Sequence, residues 1–213
     1  MVRIHIMGGG GSGKTTLGQE IAARFQVPLY ELDQLGRKNG MQHELWLHDA
    51  FSIAKQAGWV TEGVGLIWID PMLYHADYIV LMEVPWLIAA WRIIRRHFVK
   101  SLNGTNLYPG MKTLCKFLKA EREYYLNINR VVPAETIEMY LEEHGESTEP
   151  PDAEILLKRL EKYGLDIILP PTRDFERLYL KKYRQKVFVI RNNADRECLL
   201  ELLAQQHFCQ AAR

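Results

Sequence analysis

The chain has 213 residues, 47% apolar and 25% charged, with 9 Pro and 15 Gly, a globular composition that excludes disordered, collagen-like and disulfide-scaffold classes. Its 27 basic and 26 acidic residues leave a formal charge of +1, so there is no overall polycation for nonspecific nucleic-acid binding. The length suits one domain, residues 1–213, carrying an insertion.

Apolar Val2, Ile4 and Ile6 alternate with Arg3 and His5, which predicts a strand ending at Gly8. Thr15 to Phe25 reads as a helix with Leu17, Ile21, Ala22 and Phe25 on one face. Pro28 to Leu32 is a short strand, and a helix follows around Glu44–Gln56 with Leu45, Trp46, Phe51 and Ile53 as its apolar positions. Trp59 to Thr61 is a third strand, stopped by Gly63 and Gly65. Tyr78 to Val84 is a fourth, and its unbroken apolar run suits a strand covered on both faces. Pro85 opens a helix running to about His97, with Leu87, Ala90, Trp91 and Ile94 available to pack.

Asn103 to Asn106 and Pro109-Gly110 mark a loop before a helix near Met111–Leu126. Pro133 to about Tyr163 reads as two acidic helices separated by Gly145 to Pro151. Asp166–Leu169 is expected to be a short strand, Asp174–Tyr183 a helix, Val187–Ile190 a strand, and Asp195–Gln206 a final helix. Strands alternating with helices predict a parallel α/β sheet covered on both sides. Cys115, Cys198 and Cys209 are far apart and odd in number, so they form neither a disulfide framework nor a CxxC metal site. Met1 to Ile6 runs straight into glycines, leaving no room for a signal peptide's apolar core. Ile79 to Ile94 is interrupted by Glu83 and Pro85 and is too short to span a bilayer. A cytoplasmic protein without membrane association is expected.

The segment Gly8-Gly9-Gly10-Gly11-Ser12-Gly13-Lys14-Thr15 fits G-x-x-x-x-G-K-[ST] between a predicted strand and a predicted helix. Glycines let successive amides turn toward one anion, and the helix N-terminus adds partial positive charge. Lys14 can bridge terminal phosphates, and the Thr15 hydroxyl is placed to ligate Mg²⁺. Nucleoside triphosphate binding follows.

Asp33, after the second strand, can accept a proton from a substrate hydroxyl or hold Mg²⁺ through water. Glu62, ending Trp59-Val60-Thr61-Glu62-Gly63, is a candidate for orienting hydrated Mg²⁺, with Glu83 as its competitor. Arg92 and Arg96 share a helix face. From Val84 to Ala120 no acid occurs, while Arg92, Arg95, Arg96, Lys100, Lys112, Lys116 and Lys119 do. Such a block repels itself unless an anion occupies it, and a phosphoryl group in transfer is the natural one beside a triphosphate loop.

These features resemble the adenylate-kinase-like group of P-loop kinases, most closely its small bacterial topology-modulation (FlaR-type) members. The resemblance rests on Gly8–Thr16, Leu32-Asp33-Gln34-Leu35, Gly58–Gly63, and Val84-Pro85 followed by Arg92 and Arg96. It covers roughly the first 125 residues plus the Val187–Ile190 strand and its helix.

It implies a three-layer P-loop fold with a five-stranded parallel sheet in the order 2-3-1-4-5. It also implies a basic lid-like segment over 97–125, to which a mostly helical insertion over 126–182 is added. Gly9, Gly10, Gly11, Ser12, Gly13, Lys14, Thr15 and Thr16 would hold the phosphates, with Thr15 and Glu62 at the metal. Arg92 would lie over the base, Arg96 at the transferring phosphate, and Arg191 and Asn192 beside the adenine. Glutamates at 62 and 83 replace aspartates often found at such strand ends, the lid has no zinc-binding cysteine set, and 126–182 has no counterpart.

The expected function is ATP- and Mg²⁺-dependent transfer of the γ-phosphoryl group to a small-molecule or nucleotide acceptor, and Arg37 and Lys38 could favour an anionic one. The alternatives are an ATP-binding regulatory module associated with nucleic acid and a GTPase. The first has no DNA-reading motif. For the second, Asn192 to Asp195 partly matches a guanine-reading pattern but lacks its lysine.

Overall fold

The computed structural model describes residues 1–38, 40, 42–144 and 149–211. Five parallel strands, β1 (Arg3–Met7), β2 (Leu29–Glu31), β3 (Trp59–Glu62), β4 (Tyr78–Met82) and β5 (Val187–Ile190), form one sheet. Their order is β2-β3-β1-β4-β5, as expected for the P-loop fold. The central strand β1 registers Ile4 against Val60 on one side and Tyr78 on the other.

Helices cover both faces because both faces are apolar. Ile4, Ile6, Val60 and Val80 pack with Leu17 and Ile21 of α1 (Lys14–Phe25) and with Leu199, Leu200 and Leu203 of α10 (Asn193–Ala211). On the opposite face Met7, Trp59, Ile79 and Leu81 belong to a larger core. It includes Trp46, Leu47 and Ala50 of α3 (His43–Ala54) and Met72 and Leu73 of α4 (Asp70–His75). Further helices of this layer are α7 (Ala134–His144), α8 (Ala153–Ile167) and α9 (Arg173–Tyr179), followed by a 3₁₀ turn over Leu180–Tyr183.

The structure differs from the sequence expectations at definite places. His5, on the polar side of an apparent alternation, is fully buried with Nδ1 2.7 Å from Thr61 Oγ1, since β1 is central in a doubly covered sheet. Burial pushes its imidazole down to about 3 and keeps the ring neutral. Leu45 of α3 is exposed, while Leu47 and Ala50 take the core positions beside Trp46 and Ile53.

Asp166–Leu169 is not a strand: α8 runs through to Ile167, and Leu169 lies outside it and is exposed. Leu156, Leu160, Tyr163 and Ile167 are all buried at helical spacing, so the 3.6-residue period prevails over the short apolar run. Asp152 caps this helix, its side chain accepting from the amides of Glu154 and Ile155 at 2.9 and 3.0 Å. In the expected break at Gly145 to Pro151, residues 145–148 lie outside the described residues, as does the Cys209 side chain. Cys115 and Cys198 are free and exposed.

The helix after Pro85, α5 (Trp86–Leu102), packs by Ala89 and Ile93. Leu87 and Trp91, expected to pack, are 79% and 63% exposed. Small Ala89 brings α5 against the glycine loop, which turns the bulkier positions away from the core. A basic helix, α6 (Met111–Tyr125), packs beside α5 and lays its last two turns over the same loop. No helix among the described residues is long and apolar enough to cross a membrane.

Candidate functional site: a phosphate loop under two helices

The loop from Gly8 to Gly13 leaves β1 and enters α1 at Gly13, whose φ of 105° is left-handed and unsuited to a side chain. No side chain caps α1 there, so its first amides are free for an anion. Lys14 Nζ lies back over the loop, donating to the carbonyls of Gly8 (2.7 Å) and Gly9 (3.0 Å). The Ser12 hydroxyl is fully buried and has no hydrogen-bond partner among the described residues. Uncapped amides, a swung lysine and an orphaned buried hydroxyl fit a polyphosphate.

Thr15, one residue on, donates its hydroxyl to Glu62 Oε1 at 2.9 Å, joining the start of α1 to the end of β3. Burial raises the Glu62 carboxyl above its ordinary range, opposed by the charge of Lys14 and the Thr15 hydrogen bond. A hydroxyl and a carboxylate converging beside a phosphate loop suit Mg²⁺, which keeps most of its waters and needs few protein ligands. Among the described residues no group of three His, Cys, Asp or Glu side chains could hold a metal alone. Glu83 is otherwise engaged. Arg177 donates to it from Nε at 2.5 Å and from Nη2 at 2.8 Å, and Arg191 Nε lies 3.7 Å away. Burial works to raise the Glu83 carboxyl, but the Arg177 hydrogen bonds and charge prevail and hold it below the ordinary range.

Asp33 lies in the first turn of a helix missed by the sequence reading, α2 (Leu32–Lys38), rather than in a loop closing β2. It is exposed, and its charge works to raise both the Glu62 and the Glu121 carboxyls. Arg92 is anchored on the loop, donating from Nη1 to the carbonyls of Ser12 (2.8 Å) and Gly11 (3.3 Å). Arg96, one turn further along α5, is exposed and lowers the Glu121 carboxyl through its charge. Thr16 is exposed on α1. Asn192 and Asp195 act as a local cap: Asn192 Oδ1 accepts from the Asp195 amide at 3.0 Å, and Asp195 Oδ2 from the Arg191 amide at 2.8 Å.

Helix α6 brings groups to the loop that no local sequence pattern announces. Glu121 Oε2 accepts from the Gly10 amide at 2.7 Å, and the Tyr125 hydroxyl donates to the Gly10 carbonyl at 3.1 Å. Both polar groups of one loop residue are thus held by one helix. A Cβ at Gly9 would come 2.6 Å from Tyr124 and 2.7 Å from Tyr125, and one at Gly10 would come 2.6 Å from the Glu121 carboxylate. The glycines here serve close packing under α6. Burial raises the Glu121 carboxyl, and the Gly10 amide, Lys14 and Arg96 offset part of the rise. The only signal in the sequence is position: Glu121 is the first acid after the acid-free run.

Behind this layer, Tyr124 donates to Glu176, a fully buried carboxyl on α9 pushed up to about 7, chiefly by burial. A free chain titrates it near 4.5, so the folded state holds its proton more tightly. That stabilisation is complete below pH 4.5, declines as pH rises, and is gone above about 7. Relative to Glu176→Gln, the wild-type chain should therefore lose about 3 kcal/mol of unfolding free energy between pH 4.5 and 8. Denaturant titrations of both proteins at several pH values measure this. Parallel pH curves would contradict it.

No family model matches the sequence, and no curated protein matches it. Solved structures similar in fold include P-loop small-molecule and nucleoside kinases at low identity. A gluconokinase from Sinorhizobium meliloti 1021 is 18% identical, with a TM-score of 0.38 over 57% of this chain and 73% of that one. A shikimate kinase from Bacteroides thetaiotaomicron is 19% identical, with a TM-score of 0.38 over 77% and 97%. A deoxyadenosine kinase from M. mycoides is 14% identical, with a TM-score of 0.28 over 77% and 99%. Likeness of this degree shows the fold alone.

Proposed function

We propose that the chain is an ATP- and Mg²⁺-dependent phosphotransferase of the adenylate-kinase-like kind, acting on a small-molecule or nucleotide acceptor. The observation that carries the reading is the uncapped start of α1, with Lys14 over the loop and Thr15 bonded to Glu62 at 2.9 Å. Those groups supply a nest for phosphate oxygens, a mobile cation and a place for the metal.

In this reading Lys14 exchanges the Gly8 and Gly9 carbonyls for the β- and γ-phosphates. The amides of Gly9 and of Gly11 to Thr16, with the Ser12 hydroxyl, hold the remaining oxygens, and the Gly10 amide joins them on leaving the Glu121 carboxylate. Thr15 and Glu62 would hold Mg²⁺, which neutralises charge on the phosphate oxygens when bound. Arg92, braced on the loop, flanks the nucleotide, while Arg191 and Asn192 border its base. Asp33 receives the acceptor's proton at its carboxylate, and Arg37 and Lys38 favour an anionic acceptor. Arg96 is the cation whose contact tightens as charge spreads over the transferring group.

Nucleotide choice tests the binding half of the proposal. With Mg²⁺ and ATP at about 100 times its Kd, stabilisation of about 2.7 kcal/mol should raise the melting temperature by roughly 5–10 °C. GTP at the same concentration should give little shift. A GTP-selective shift would favour a GTPase, and no shift with either nucleotide would overturn the proposal.

A further inference from the structure

The nearly neutral total conceals two surfaces of opposite sign. On α5, with 100° between successive residues, Leu87, Ile88, Trp91, Phe98, Val99 and Leu102 fall within an arc of about 120° and all face solvent. Leu102 is 86% exposed. Arg95 lies inside that arc, Lys100 lies outside it on the side of Ala89 and Ile93, and α6 adds Lys112, Lys116 and Lys119 on its outer face. None of these five cations has a carboxylate at ion-pair distance among the described residues. The other surface is α7, which turns Glu135, Glu138 and Glu142 outward around Met139, itself 46% exposed. These three carboxylates have no ion-pair partner among the described residues either.

We propose that the apolar, basic face of α5 and α6 docks the acidic face of α7 in a second copy of this chain. The contact is made twice about a two-fold axis, so the assembly closes as a dimer. Charge complementarity selects this occupant: each face leaves unpaired the sign that the other supplies, and the chain does not fold one onto the other. The apolar stripe and Met139 form the dehydrated centre, the charges form the rim, and Arg95 within the stripe meets a carboxylate. A single strand of nucleic acid would use stacking rings, and most of this stripe is aliphatic. An anionic membrane would leave the α7 face unused.

Two triple variants of the full chain test the pairing: Lys112→Glu/Lys116→Glu/Lys119→Glu, and Glu135→Lys/Glu138→Lys/Glu142→Lys. Sedimentation velocity should show a wild-type dimer at low salt. In each variant alone the dimer Kd should rise about a hundredfold or more, because like charges then meet at both contacts. In a one-to-one mixture of the variants both contacts become complementary again, and the dimer should return. A wild-type chain monomeric at about 100 μM and low salt overturns the proposal. So does a dimer that survives both reversals, or a mixture that stays monomeric. A monomer captured by anionic vesicles or by oligonucleotides assigns the surface to those partners instead. Should either variant fail to fold by circular dichroism, the wild-type protein still decides. Its dimer Kd should rise at least tenfold between about 50 and 500 mM salt, and a salt-indifferent dimer refutes the pairing.

Discussion

Replacing Lys14 with Ala should lower kcat/KM for ATP-dependent transfer by at least about 10³-fold while the protein stays folded. The Lys14 ammonium bridges the Gly8 and Gly9 carbonyls at 2.7 and 3.0 Å. Those bonds hold the side chain beside the amides that would bind the phosphates, so little reorganisation is needed when nucleotide enters. Losing them costs folding little, since a net intramolecular hydrogen bond is worth about 1 kcal/mol. For a chain of this size that is a melting shift of a few degrees. Coupled-assay kinetics together with circular dichroism melting separate the two effects. A variant that retains turnover would remove Lys14 from the reaction, and one that unfolds would leave Lys14→Met to decide.

Arg96→Ala should reduce kcat about 10³-fold and change the KM for ATP less than about threefold. Arg96 sits on the exposed side of α5, within electrostatic reach of Glu121, and makes no hydrogen bond or ion pair among the described residues. A cation without a ground-state partner is suited to an interaction that strengthens as charge develops. Arg96→Lys should recover part of the loss, as a point charge replaces the planar fork. Steady-state kinetics over a range of ATP concentrations resolve the two constants. Proportional losses in affinity and turnover would make Arg96 an ordinary binding residue.

Local sequence carried the glycine loop and the elements on either side of it. Gly8 to Thr15 is contiguous, and its flanking strand and helix follow from alternation at Ile4 and Ile6 and from the Leu17–Ile21 spacing. The sheet order came from resemblance and holds in the structure. Thr15 and Glu62 were each legible as strand-end or loop chemistry, and the fold supplies their meeting at 2.9 Å. Glu121, Tyr125 and Glu176 were not legible, because the first two reach Gly10 from more than a hundred residues away and Glu176 meets Tyr124 from 52 residues away. α2 and α4 escaped because 7 and 6 residues are too few for a helical period to emerge. On α5 the pattern showed apolar residues but could not say which were covered. Ala89 and Ile93 are, and Leu87 and Trp91 are not.

The most direct test of a phosphotransferase is ADP release from ATP–Mg²⁺ against a panel of nucleosides, nucleotides, sugars and other hydroxylated metabolites. The Lys14→Ala protein serves as the blank. At least one acceptor class should raise ADP release well above the acceptor-free rate, with phosphate recovered on that acceptor and no signal from the blank. ATP that binds with Mg²⁺ yet is never transferred to any acceptor, or release equal in the wild-type and Lys14→Ala proteins, would contradict the account.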